Sequence, residues 1–133
     1  ETLRDATMEM LNEVRSDITA EDYFRAKFVI EEKDRVLAVC DALEKGDYET
    51  VGEKMYETHA GLSKDYEVSC EELDFLNDQA RELGVTGCTI NLVKNDLHDN
   101  FVETIVARFN DKYGHEPKIY DVVISDGARR VEE

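Results

Sequence analysis

The sequence predicts an α+β domain. Up to about residue 84, apolar residues recur three and four positions apart, which is the spacing of one face of an α-helix. Beyond residue 87 the pattern becomes strand, helix, strand, with alternating apolar residues in the two outer segments. With 133 residues, 41% of them hydrophobic, the chain can form one domain with a core and is too short for two ordinary domains.

Four helices are predicted in the first part of the chain. A short helix follows Asp5. Thr19 suits the N-cap of a long helix that reaches about Lys45, and Gly46 suits its C-terminal end. Asp47 can cap the third helix. The apolar positions of these three helices are Met8, Leu11 and Val14; Ala26, Val29, Ile30, Val36, Leu37, Cys40 and Leu43; and Val51, Met55, His59 and Leu62.

The fourth helix begins at a capping box and is followed by the mixed segment. Ser69 and Glu72 have the spacing with which a serine and a glutamate cap a helix reciprocally, and Gly84 ends that helix. Leu73, Leu76, Ala80 and Leu83 follow on one face of this helix. The remaining predictions are a strand over 88–94, a helix over 97–113 capped by Asp96 and stopped by Gly114 and Pro117, and a strand over 118–125.

The charge and composition exclude several classes of function. The net charge of −16 argues against a nucleic-acid-binding surface, which needs clustered Lys and Arg. No apolar run approaches the length of a membrane span, so we expect a soluble domain. The three cysteines match no zinc or disulfide spacing, and reduced thiols fit a cytoplasmic protein.

The segment from Thr58 to Asp74 contains a distinctive series of residues that a helical pattern alone does not require. It reads T-H-A-G-L-S-K-D-Y-E-V-S-C-E-E-L-D. This resembles the galactokinase segment S-H-x-S-L-R-D-D-Y-E-V-S-C-P-E-L-D. The likeness runs from Leu3-Arg4-Asp5, against L-R-D-V-T, to Ser125-Asp126-Gly127-Ala128-Arg129. The chain is therefore identified as similar to the C-terminal part of the galactokinases, in the GHMP kinase superfamily.

This resemblance implies a fold for the whole chain. Residues 1–133 would form a GHMP kinase C-terminal domain, in which helices pack on a small, mostly antiparallel sheet. Phe28 stands where the family usually has His, and Glu71 stands where it has Pro. Both departures are interpreted as changes of packing or capping.

A glycine-rich loop of the family is absent from the sequence. After Leu83-Gly84 the family reads L-G-x-x-G-S-R-M-T-G-G-G-F-G-G-C, so about ten residues are missing between Thr86 and Cys88. Gly87 and Cys88 remain, and the resemblance makes them the candidate cofactor-binding residues. We expect this loop to be mobile and omitted from the sequence, with a chain break at Gly87–Cys88.

The resemblance also implies an activity for the parent protein. Galactokinases transfer the γ-phosphoryl group of ATP, with Mg²⁺, to the anomeric hydroxyl of galactose. The family's sugar-binding motif, phosphate loop and catalytic Asp belong to its N-terminal part. The chain is therefore expected to contain no catalytic residue and no metal site, to bind no cofactor by itself, and to be inactive without an N-terminal kinase domain as its partner.

Other chemical candidates have a structural interpretation that we prefer. His59 points inward and is interpreted as a hydrogen-bonded core or interface histidine rather than a proton carrier. Asp65-Tyr66-Glu67 is interpreted as a turn between helices rather than an acid–base group. His98 and His115 lie near helix ends, where helix dipole or solvent contacts explain them.

Three alternatives stay open at this point. The parent could be a galactose-sensing regulatory relative of galactokinase, or another GHMP sugar kinase, and the chain could be an acidic helical module that binds a protein. We also expect an apolar face near Cys88, which a lone C-terminal domain would expose or cover by forming a dimer.

Overall fold

The computed structural model describes Thr2, residues 4–87, residues 90–123 and Gly127. None of its described helices is long and apolar enough to cross a membrane. The elements in chain order are α1 (Met8–Glu13), α2 (Ala20–Lys45), α3 (Tyr48–Lys64), α4 (Glu71–Glu82), β1 (Thr86–Gly87), β2 (Asn91–Leu92) and α5 (His98–Tyr113).

The predicted caps of the two long helices are confirmed. The Thr19 side chain accepts a hydrogen bond from the Asp22 amide at the start of α2. At the other end Gly46 has φ 70°, a left-handed conformation that favours glycine. Asp47 accepts from the Thr50 amide at the start of α3. The Thr50 hydroxyl bonds the same carboxylate, which lowers the pKa of Asp47.

Two other predicted caps are wrong. The N-cap of α4 is Cys70, without a side-chain cap bond, because the Ser69 hydroxyl donates to Asp74 instead of capping with Glu72. The N-cap of α5 is Leu97, one residue beyond Asp96. Leu97 has helical backbone angles, φ −104° and ψ −11°, so the chain enters α5 through a turn rather than from the extended geometry that a carboxylate cap uses.

The described part is mostly helical, and its strands are shorter than predicted. Of the strand expected over 88–94, the described residues 90–94 form only β2, which pairs antiparallel with β1, and residues 88 and 89 lie outside the described residues. Residues 118–123 do not form the strand expected over 118–125, and Ile124 and Ser125 lie outside the described residues. Residues 118–123 pair with neither β1 nor β2, and a strand without a partner gains no ladder hydrogen bonds. The predicted small sheet is therefore not confirmed.

The core has two regions that α3 connects. In the first, α2 and α3 form an antiparallel helical hairpin, with Phe28 of α2 beside Gly61 of α3 and Glu32 beside Thr58. In the second, α4, the β1–β2 hairpin and α5 bury Ala80, Val85, Phe101 and Ile105 together. The Tyr56 hydroxyl of α3 donates to the Val85 carbonyl and joins the two regions.

Gly61 lets α2 and α3 approach closely. A Cβ at this position would lie 2.5 and 2.6 Å from two ring atoms of Phe28, closer than van der Waals contact allows. The ring is held on other sides by Tyr66, at 5.5 Å between ring centroids, and by the Arg35 guanidinium, at 5.4 Å. Gly61 therefore has a role in packing α3 against α2.

Asp74 holds α3, α4 and the segment between them in one cluster. Its carboxylate accepts hydrogen bonds from Ser69 Oγ at 2.7 Å and Ser63 Oγ at 3.1 Å, and His59 Nε2 lies 2.9 Å from Asp74 Oδ1. His59 is buried, which agrees with its interpretation as a hydrogen-bonded core residue. The bond from Ser69, followed by those from His59 and Ser63, lowers the pKa of Asp74. We call these four residues the Asp74 cluster.

Replacing Gly61 by Ala is predicted to destabilise the protein. Alanine favours a helix over glycine by about 1 kcal/mol, but overpacking a fitted site typically costs about 1–3 kcal/mol. We expect a net loss of about 1 kcal/mol or more in the free energy of unfolding, measured by urea denaturation.

The control for that substitution is Phe28→Ala, which removes the two ring atoms that the new methyl group would meet. In the Phe28→Ala background, Gly61→Ala should be neutral or stabilising because helix propensity then acts alone. Equal effects of Gly61→Ala in both backgrounds would show that the contact with Phe28 does not limit this position.

Replacing Asp74 by Asn is predicted to destabilise the protein in a pH-dependent way. We expect a loss of about 1–2 kcal/mol near neutral pH, since the half-buried carboxylate bonds three side chains. The pKa of Asp74 lies below its ordinary value of 3.8. Its contribution to stability is therefore present above that value and is lost as the pH falls through the lower, folded-state pKa.

The matched control is Asp78→Asn, on an exposed position of the same helix. Urea unfolding across the acidic range should show that Asp74→Asn loses less stability on acidification than the wild-type chain, whereas Asp78→Asn follows the wild type. The role assigned to the Asp74 cluster is wrong if both variants have the stability of the wild type near neutral pH.

Candidate functional site

Gly87, one of the two predicted cofactor-binding residues, lies in the short β-hairpin. It belongs to β1 and stands opposite Asn91, while Thr86 stands opposite Leu92. Cys88 lies outside the described residues, and so does the chain break predicted at Gly87–Cys88. Only residues 88–90 connect β1 to β2, so the sequence as it stands has no long loop at this point.

An open groove of about 930 Å³ lies beside the base of the hairpin. It separates the N-terminal half of α3 from the end of α4 and from the residues that enter and leave the hairpin. Gly52 and Ala60 are small residues of α3 that leave the space open. The groove is lined by Gly46, Asp47, Tyr48, Glu49, Gly52, Glu53, Tyr56, Glu57, Ala60, Arg81, Gly84, Val85 and Lys94.

The two walls of the groove carry opposite charges. Glu49, Glu53 and Glu57 recur every four residues on α3 and make one wall acidic. Arg81 of α4 and Lys94 after β2 make the opposite wall basic. The Arg81 guanidinium also lies 5.3 Å from the centroid of the Tyr56 ring, within range of a cation–π contact. The groove can hold a polar molecule, but its acidic wall opposes a bound phosphate.

The other residues considered for chemistry occupy structural positions. The Asp65 amide donates to the Gly61 carbonyl at the end of α3, and Tyr66 packs against Phe28. Glu67 has φ 56°, the left-handed conformation of a tight turn. These positions support the interpretation of this segment as a turn between helices. The His115 ring packs against Phe109 at 5.4 Å.

Within the described ranges, no group of three or more His, Cys, Asp or Glu side chains is arranged to hold a metal ion. The groove itself was missed by the sequence analysis. Its one local signal is Gly52, since a glycine inside a helix costs about 1 kcal/mol relative to alanine and indicates a close approach or an open space.

Comparison with known proteins finds galactokinases, although no family model matches the chain. The chain is 36% identical to a galactokinase of Clostridium acetobutylicum over 140 residues, which cover 97% of the chain and 36% of the relative. It is 38% identical to a galactokinase of Clostridium beijerinckii, with the same two coverages. It is 30% identical to a Bacillus subtilis galactokinase over 80% of the chain and 30% of the relative.

These alignments also contain residues that the chain lacks. In the first, 97% of the 133 residues is about 129, whereas the alignment runs over 140 residues, so the relative has about eleven more. In the third, 80% of the chain is about 106 residues against 118, an excess of about twelve.

The resemblance seen in the Thr58–Asp74 motif is thus confirmed over nearly the whole chain. The chain spans 36% of the length of the two clostridial relatives. Identity of 36% and 38% across 97% of the chain is far beyond what one shared motif would give. The chain belongs to the galactokinase family, as a segment that corresponds to about a third of a galactokinase.

Proposed function

We propose that this chain is the C-terminal domain of a galactokinase and that residues 1–133 form a GHMP kinase C-terminal domain. The alignment with galactokinases over 97% of the chain is the observation that carries the proposal. The Asp74 cluster supports it, because three of its members that match the family motif, His59, Ser69 and Asp74, hold α3 and α4 together.

The parent protein then transfers the γ-phosphoryl group of ATP to the anomeric hydroxyl of galactose and forms galactose 1-phosphate. Mg²⁺ neutralises phosphate charge in such transfers, and the remaining task of the protein is to position both substrates. With its net charge of −16, this chain is a poor binder of nucleotide phosphates. The phosphate-binding and catalytic groups therefore belong to the rest of the parent, and this domain forms one wall of the cleft.

The glycine-rich loop belongs in this proposal. The relatives' excess of about eleven residues agrees in size with a loop missing between Thr86 and Cys88. Gly87 lies at the end of β1, where the inserted loop would leave the hairpin. Successive backbone amides without side chains can surround an anion, so the loop would bring Gly87 and Cys88 to the cofactor.

The small sheet is also completed in the parent. Residues 118–123 are rich in the β-branched and aromatic residues that favour strands, and they carry no strand partner in the described part. Next to an added strand they would form the mostly antiparallel sheet on which the helices pack. The domain acts in the cytoplasm, in agreement with cysteines that need no disulfide partner.

The chain alone is predicted to be inactive. The activity of a chimeric galactokinase that contains the chain is predicted to depend on the loop. We expect no galactose-dependent ADP formation with MgATP. A chimera in which this chain replaces the matching 140 residues of the C. acetobutylicum galactokinase should phosphorylate galactose. Inserting the relative's extra residues between Thr86 and Cys88 should raise its kcat/KM about a hundredfold, because misplaced groups cost that much.

The control is the same chimera with the inserted residues in scrambled order, which should keep the lower activity. A galactose kinase activity of the purified chain itself would contradict the division of roles. A folded chimera that is inactive both with and without the loop would contradict the family role of this domain.

Two alternatives are separated by assaying the natural full-length protein. A protein that binds galactose and does not phosphorylate it would be the galactose-sensing relative, and one that phosphorylates a different sugar would be another GHMP sugar kinase. Phosphorylation of galactose at the anomeric hydroxyl is the result that the proposal predicts.

The isolated chain is predicted to form a defined dimer through its apolar face. The exposed apolar residues near the hairpin and the start of α5 are Ile90, Leu92, Leu97, Ile119, Tyr120, Val122 and Val123. Sedimentation at several protein concentrations should show a monomer–dimer equilibrium, and added salt should favour the dimer by screening the net charge. A monomer at every concentration and ionic strength would contradict this prediction.

A further inference from the structure

His98 forms two contacts at the start of α5. Its Nδ1 lies 3.0 Å from Asp99 Oδ1, and its Nε2 lies 3.0 Å from Asp121 Oδ1. Asp99 is the next residue on the same helix, whereas Asp121 is 23 positions away in the segment that follows α5. The ring therefore connects that segment to α5.

The chemistry of the two partners sets the charge that the ring needs. An ionised carboxylate only accepts hydrogen bonds, so both ring nitrogens must donate to satisfy both contacts. Both nitrogens carry a proton only in the imidazolium form. A neutral ring has one donor, and it then loses one of the two bonds along with its charge attraction to both carboxylates.

The segment that His98 holds is apolar and unusually exposed. We call residues 119–123, Ile-Tyr-Asp-Val-Val, the apolar strip. Tyr120 is 76% and Val123 is 91% exposed, so these side chains add little apolar packing to hold the strip in place. The strip also has no strand partner in the described part of the chain. The hydrogen bond that His98 donates to Asp121 can therefore determine where the strip lies.

We propose that His98 is a pH-sensitive clasp that holds the apolar strip against the start of α5 when the ring is protonated and holds it less firmly when the ring is neutral. This inference concerns the regulation of a segment by protonation, and it does not depend on the proposed kinase activity.

The direction of the pKa shift agrees with this clasp. The bond to Asp99, followed by the bond to Asp121, raises the pKa of His98 above its ordinary value of 6.5. A group with a raised pKa contributes fully below its unfolded-state value and loses the contribution as the pH rises through the folded-state value. The docked fraction of the strip is thus higher in mildly acidic solution and lower on the alkaline side of the His98 titration.

The charged groups that contact the ring come from both elements beside it. Asp99 faces it from α5 and Asp121 faces it from the strip. The turn before α5 contributes Asp96, an exposed carboxylate one residue before the N-cap. The His98 and Asp121 side chains are 41% and 77% exposed, so water screens the bond between them. A change of about twofold to fivefold in the ratio of docked to released strip is expected for such a pair.

The test is an NMR titration of the 133-residue chain from about pH 5.5 to pH 8.5. Side-chain carbon–proton spectra report the titration midpoint of His98. The backbone amide shifts and heteronuclear NOE values of Tyr120 and Val122 report the strip. We expect the strip to become more mobile with rising pH and to change with the same midpoint as His98.

Four variants separate the clasp from other effects of pH. His98→Gln should remove the pH dependence of the strip. Asp121→Asn should lower the His98 midpoint and leave the strip mobile at every pH. Asp99→Asn should lower the His98 midpoint but keep the strip docked at low pH, since the Asp121 bond remains. Asp96→Asn also removes one negative charge near the start of α5, but Asp96 does not bond the ring, so this variant should behave as the wild type.

The proposal is overturned if the strip is insensitive to pH in the wild-type chain, or if its pH dependence survives His98→Gln. It is also overturned if Asp99→Asn and Asp121→Asn change the strip equally. Far-ultraviolet circular dichroism of each variant verifies that the helices remain, so a loss of the strip signal cannot be attributed to unfolding.

Discussion

The Asp74 carboxylate is the interaction on which the arrangement of the helices depends. It accepts hydrogen bonds from His59 and Ser63 of α3 and from Ser69 of the connecting segment. An ionised carboxylate accepts several hydrogen bonds at once, so one side chain fixes two helices and the turn between them. Because α3 in turn packs on α2 and bonds Val85 before the hairpin, the orientation of both core regions follows from this cluster.

Two departures from the family pattern meet in the contact between α2 and α3. The family usually has His where this chain has Phe28, and Ser where it has Gly61. The structure places the two residues in contact. A phenyl ring needs more room than an imidazole, and the glycine provides that room at a modest cost in helix propensity. The two residues therefore fit each other in the α2–α3 interface.

Local features were predictable from the sequence, and features set by distant partners were not. The caps at Thr19 and Asp47 depend on neighbours within three residues and were predicted. The Ser69 cap failed because Asp74 competes for the same hydroxyl. The segment predicted as a strand over 118–125 is rich in β-branched residues, but its described residues 118–123 pair with no strand in the described part. Of the candidate site, Gly87 was found through a family motif, whereas the groove arises from the packing of α3 beside the end of α4 and the hairpin, which no local sequence pattern indicates.

If this chain works as part of a galactokinase, the natural gene product is larger than the chain, and its mass can be measured. In the clostridial relative, the 140 matching residues are 36% of the protein. The account therefore predicts a natural protein close to three times the 15.3 kDa of this chain. Detection of the protein in extracts of its source cells, followed by intact mass spectrometry, gives the answer. A natural product of 15.3 kDa, with no larger form, would contradict the account.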